Sequence, residues 1–273
     1  MKKIILVFLI SLLLGVSAFA FDDAKGSSMA GSLSASAEGA IANWYNPARL
    51  SADDKNDIVL SYQNPYNAAN LTAMKFGYKQ SLSFVNFGLY YDSIQAGNIY
   101  GNTKIGLNLS KRFDAILKKT SLLVGVGAIL RDKYINSSLS HAYRYISPDA
   151  GVDILYQAST KLQINLATDF QFDTQSQDIT LVPAIGIKLR KVGLLNIGVN
   201  VLEKKYSAGI ESKLLYKFFV LRAGGAIIQP SKMLSFSLNS GLGFKFDNFG
   251  LDLAYVFNQA LGGYAIASVQ FIL

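Results

Sequence analysis

From Asp57 to the C terminus the chain alternates apolar and polar residues with period two, in runs too long for a soluble sheet. In "LSFSLNSGLGFKF", Leu234, Phe236, Leu238, Leu242, Phe244 and Phe246 share one face. Ser235, Ser237, Asn239, Gly241, Gly243 and Lys245 share the other. The same pattern recurs in "TKIGLNLS", "KLQINLATD" and "GLLNIGVNV". Period two specifies strands with one apolar and one polar face. About fourteen such segments follow one another, from 57–63 to 264–273. Most run about nine to twelve residues, the length a tilted strand needs to cross a bilayer, against about five or six in soluble proteins. Charged residues are 16% of the chain, where a soluble domain carries about a quarter. Something other than water must solvate part of this surface. An all-β fold is expected: a transmembrane antiparallel β-barrel of about 14 strands, apolar outside and polar or Gly inside. A soluble sandwich also alternates, but it fits neither the strand length nor the shortage of charge. Closure also leaves no unpaired edge in hydrocarbon. Tyr78, Tyr90, Tyr91, Tyr156, Phe170, Tyr216, Phe218, Tyr255 and Phe257, near strand ends, are expected to form interfacial girdles.

The first twenty residues read as a signal peptide. Lys2 and Lys3 precede an apolar run, and Ala18-Phe19-Ala20 forms a cleavage site. Export would leave a mature chain from Phe21, placing the barrel in the outer membrane of a Gram-negative type envelope. The chain has no Cys, which excludes a lipid anchor at the site, a disulfide and a thiol nucleophile. Net charge is +8; the cations are scattered, which suits anionic lipid or a lumen lining and not nucleic acid. The expected organisation is a signal peptide over 1–20, an N-terminal hatch over 21–55 and the barrel over 56–273.

Residues 24–50 read "AKGSSMAGSLSASAEGAIANWYNPARL". This stretch resembles the N-terminal region of the FadL-like outer-membrane proteins, the long-chain fatty-acid transporter superfamily, and its smaller PorV/PorQ-like members in particular. Met29-Ala30-Gly31 stands where those have Met-Gly-Gly, and Trp44-Tyr45-Asn46-Pro47-Ala48-Arg49-Leu50 where they have W-x-N-P-A-G-L. Ala30 and Arg49 each replace a Gly. The resemblance implies a hatch folded into the barrel, packed through Met29, Gly31, Glu38 and Gly39. It implies a ligand or gate role for Trp44, Asn46, Pro47, Ala48 and Arg49. The motif's chemistry agrees: small residues allow close backbone approach, and Pro47 forces Asn46 out of helical geometry. A tight turn that only seeds the first strand would use the same residues. The resemblance also implies periplasmic termini, and so a long 132–147 connection on the outside.

Catalysis is not expected. The one His, His141, lies in a Ser/Tyr-rich connection with no partner for a nucleophile. One His and no Cys leave no His/Cys metal cluster, and no cofactor is implied. Lys104, Lys161, Lys188, Arg190, Arg222 and Lys245 are expected to face the lumen, beside Lys75, Asp57, Asp153, Asp169 and Asp252. Such a lining is either mutually paired or selective for an anionic head group. Pro183 cannot donate to a strand ladder and is expected to mark a bulge or wall opening; Gly224-Gly225 is a similar candidate. Two functions are open. One is a passive transporter of hydrophobic or amphipathic small molecules, such as fatty acids, gated by the hatch. The other is a docking barrel for secretion-system proteins of type IX kind. Outer-membrane lipid is the partner common to both.

Overall fold

A computed structural model describes residues 22–273 apart from 69, 136–140, 191, 215–217, 230–233 and 260–261. Among the described residues, fourteen antiparallel strands close into a barrel, each paired with its sequence neighbours and the first with the last. They are β1 Asp57–Gln63, β2 Leu71–Ser81, β3 Asn86–Ala96, β4 Tyr100–Leu117, β5 Thr120–Ile135, β6 His141–Gln157 and β7 Leu162–Phe172. The rest are β8 Ile179–Leu189, β9 Gly193–Asn200, β10 Lys205–Leu214, β11 Phe219–Ile228, β12 Ser235–Lys245, β13 Phe249–Asn258 and β14 Gly262–Ile272. Odd-to-even turns lie at one end; even-to-odd turns lie at the other, with the C terminus.

The alternation decides which side chains go where. Ile105, Leu107 and Leu109 of β4, Ile185 of β8 and Leu238 of β12 are exposed on the outer face, while Asn108, Gly186 and Gly241 are buried inside. An outer face this apolar is stable only against hydrocarbon. Tyr156, Phe170, Phe218, Tyr255 and Phe257 are exposed on it as expected. Tyr90 is not: it is 3% exposed and points inward, because its phase on β3 matches Gly88 and Asp92. Tyr216 and residues 1–20, expected to form a signal peptide, lie outside the described residues.

The 132–147 connection is shorter than expected. β5 and β6 stay paired to Ile135 and His141, which leaves only 136–140 between them. Asp132 and Arg144 are direct cross-strand partners joined by a 2.6 Å ion pair, a contact that favours continued pairing. His141 therefore stands in β6, not in a loop; its side chain lies outside the described residues. Two expected irregularities also resolve differently. Pairing runs unbroken through Gly224-Gly225 on both sides. At Pro183 the β7–β8 pairing is continuous, but the β8–β9 register ends at Ala184↔Gly198. Val201 N–H donates to Leu181 O at 3.0 Å, so period two turns the position of Pro183's missing N–H toward β9 as well. The seam between β8 and β9 is thinned there.

Candidate functional site

The N-terminal segment lies against the inner wall and is built from short turns. Helix α1, Ala24–Ser28, is capped by Asp23, whose carboxylate accepts from Gly26 N and Lys25 N at 3.2 Å each. Asp23 also accepts from the Tyr45 hydroxyl at 2.7 Å. Burial pushes the Asp23 carboxyl above its usual range, against that hydrogen bond. The chain then reverses through Ala30 at φ 56° and Gly31 at φ 75°. Left-handed backbone strains any residue with a Cβ, which gives a physical reason for Gly where Ala30 stands. Ala30→Gly is expected to stabilise the fold by about 1 kcal/mol, read as a higher unfolding midpoint in detergent.

Turns at Leu33–Ala35 and Gly39–Ile41 lead into helix α2, Ala42–Tyr45. Gly39 is required twice over: its φ is 73°, and a Cβ there would lie 2.3 Å from Asp57 Oδ2. Asp57 Oδ1 accepts from Ala40 N at 2.8 Å, tying the turn to β1. Asn46 ends α2 in extended geometry, as a residue before Pro must. Its Oδ1 accepts from Ala48 N at 3.0 Å, and its amide donates to Ser34 O at 3.2 Å and Thr168 O at 3.5 Å. Pro47 opens the following turn, Pro47–Ala52, where its missing N–H costs nothing.

This turn fills a notch in the wall. Gly125 of β5 and Gly151 of β6 are cross-strand partners. A Cβ on Gly125 would lie 2.3 Å from Ala48 N, and one on Gly151 would lie 1.9 Å from Asn46 Oδ1. Arg49, 1% exposed, locks the turn: Nε donates to Ala37 O at 3.0 Å and Nη1 pairs with Asp153 Oδ2 of β6 at 2.6 Å. The side chain that departs from the resemblance is thus a clamp between segment and wall. Trp44 rests edge-on to Tyr90, centroids 6.2 Å apart, with Lys75 Nζ 5.2 Å from its ring centre.

Other strands hold the segment from further directions. Ser268 Oγ of β14 accepts from Ala24 N at 2.8 Å. Ser110 Oγ of β4 donates to Ala48 O, and Asn165 of β7 to Ala35 O, both at 2.8 Å. Asn196 of β9 donates to Ser36 Oγ, and Asn239 of β12 to Ser27 O, both at 2.5 Å. Gly209 and Gly224 make room for Met29, which is fully buried; a Cβ on either would lie within 2.7 Å of it. Lys188 of β8 pairs with Glu38. Burial opposes ionisation of Glu38, but the charges of Lys188, Lys25 and Arg49 prevail and hold its carboxyl far below the usual range.

Cavities lie on both sides of the segment. One, of about 360 Å³, is lined by Trp44, Tyr45 and Tyr90 together with Asp92, Arg131 and Glu203, toward the end opposite the C terminus. The other, of about 350 Å³, meets Lys25, Glu38 and Ile41 and extends to Lys245, Phe246 and Ile272 at the C-terminal end. The expected lumen cations divide. Arg222 is buried and paired with Glu211 at 2.9 Å and Asp252 at 2.6 Å. Lys104 lies 4.0 Å from Asp92 in the first cavity, and Lys245 lines the second. Lys161 and Arg190 stand exposed in hairpin turns at the C-terminal rim, outside the lumen.

One group escaped the sequence reading. Ile94, Tyr100, Ala254, Val256, Tyr264 and Ile266 form a buried apolar cluster on the inward faces of β3, β4, β13 and β14. Its signal was present in "YAIASV", where both faces of β14 are apolar. Ile94 and Tyr100 carry this surface into the first cavity, which is therefore amphipathic: acids and cations around an aromatic and aliphatic side.

Two solved barrels are similar in fold over most of the chain. The CymD monoaromatic hydrocarbon channel superposes with a TM-score of 0.64 at 11% identity, covering 92% of this chain and 97% of its own. The Pseudomonas putida toluene transporter TodX gives 0.57 at 12% identity, covering 93% and 99%. At this identity the likeness is one of fold: an outer-membrane type closed antiparallel barrel. No protein-family model matches the sequence. No curated protein matches it either.

Proposed function

We propose that this protein is an outer-membrane channel for small amphipathic or hydrophobic molecules, with residues 21–55 acting as a hatch. The observation that carries the reading is the amphipathic cavity bordered by Trp44, Tyr90, Ile94 and Tyr100, with Gly31, Ser34 and Tyr45 of the N-terminal segment also in its lining. Barrels of this fold named for monoaromatic hydrocarbon and toluene transport support the substrate class. The charged residues around the cavity favour a molecule with a polar group over a pure hydrocarbon. The thinned β8–β9 seam at Pro183 gives a sideways exit, since Val182 and Asn200 on its two edges line the same cavity.

Trp44 is the only Trp in the chain, so its emission reports the cavity directly. Titration of the purified barrel with an amphipathic aromatic probe is expected to change that emission saturably. An unchanged spectrum, together with co-purification of a secretion component, would favour the docking alternative and sink the channel reading.

A further inference from the structure

The C-terminal end of the barrel carries an arc of exposed cations that neither the lumen nor the hatch uses. It spans the turns after β4, β6 and β8, which are neighbours along the wall. Lys111, Lys118, Lys119, Lys161 and Arg190 are all exposed, and Arg190 N donates to Lys161 O at 2.8 Å, so the last two turns are joined. Lys111 is the most telling. It lies on the outer face of β4 between Leu109 and Phe113, both exposed, with its Nζ 5.5 Å from the centre of the Phe113 ring.

A cation on the lipid-facing side of a strand must reach a polar layer, and a lysine does so by running its stem along apolar neighbours toward the head groups. The surroundings suit that layer. Phe113, Ile116, Leu117, Leu189 and Val192 are exposed beside these cations. The hairpin of β4 and β5 also projects past β3, whose pairing stops at Asn86↔Ser110. Within the arc, the exposed Asp114 is already paired with Arg112 at 2.7 Å, and Glu38, which shares a small cavity with Lys119, is paired with Lys188; among the described residues none of the five cations forms an ion pair. The opposite end differs: exposed Arg144 is paired with Asp132, and Asp178 is exposed there.

We propose that this arc binds anionic phospholipid head groups of the leaflet at the C-terminal end, the apolar side chains seating in the acyl boundary beneath them. Charge and apolar anchors alternating over three adjacent turns match a lipid surface, where each cation meets its own phosphate. The inference rests on the membrane-spanning barrel and is independent of what the channel carries.

The test uses the full chain reconstituted in bilayers of phosphatidylethanolamine and phosphatidylglycerol, with spin-labelled versions of each lipid as probes. The wild type is expected to favour the phosphatidylglycerol probe by on the order of tenfold, with the preference falling as salt rises. Replacing Lys111, Lys118, Lys119, Lys161 and Arg190 together by Gln should bring the ratio near one. Lys133→Gln with Lys204→Gln, at the other end, should leave it unchanged. Retained heat-modifiable migration of each variant establishes that it is folded. No preference in the wild type, or an undiminished one in the five-site variant, would overturn the proposal. So would binding of an acidic peptide in place of the lipid.

Discussion

Asp153→Ala is expected to destabilise the folded barrel by about 3–5 kcal/mol, because it strands the Arg49 guanidinium in a buried site. Arg49 is 1% exposed and Asp153 0%, so neither charge can turn to water when its partner is removed. The remaining contact, Arg49 Nε to Ala37 O at 3.0 Å, satisfies one donor and none of the charge. Denaturant or thermal unfolding in detergent, followed by the electrophoretic shift of the closed barrel, measures the loss. Replacing both partners, as Arg49→Met with Asp153→Leu, should recover most of it, since an apolar pair has no unmet charge. If the single substitution were neutral, the clamp would contribute nothing to holding the segment.

Gly125→Ala is expected to have the next largest effect, and to act on the closure itself. The added Cβ would lie 2.3 Å from Ala48 N and 2.4 Å from Pro47 C. These are backbone atoms with no rotamer to escape into, so the Pro47–Ala52 turn must move. The overpacking costs about 1–3 kcal/mol. It also draws Ala48 O away from Ser110 and Asn46 away from Thr168, so planar-bilayer recordings should show a raised ion leak. Gly198→Ala is the control: it faces the same lumen, but its Cβ would find no atom nearer than 3.4 Å. Equal leak from both variants would mean that the notch does not seat the turn.

The wall was legible in the sequence because lipid and lumen impose opposite solvents on alternate residues. Leu234 to Phe246 states both its strand and its phase for that reason. Strand ends were less legible: β5 and β6 run on to Ile135 and His141 through cross-strand pairs such as Asp132–Arg144, which no periodicity announces. Lys161 and Arg190 have the lumen phase of the strands beside them, yet the chain turns at both and carries them to the rim. In the segment, the resemblance pointed to Asn46-Pro47-Ala48, and the local geometry of Asn46 followed from Pro47. Its wall partners did not follow. Gly125, Gly151 and Asp153 lie 77 to 105 positions in sequence from the residues they meet, and only closure of the barrel brings them to the turn. Tyr90 was misplaced because an aromatic near a strand end suits the interface and the lumen equally well.

The central claim is that the bound N-terminal segment closes the lumen between the two cavities, and single-channel conductance tests it most directly. The barrel lacking residues 22–50, refolded and reconstituted in planar bilayers, should pass a steady ion current that the full chain does not. Equal conductance in the two, with both migrating as closed barrels, would contradict the account and reduce the segment to packing inside a wall that is already shut.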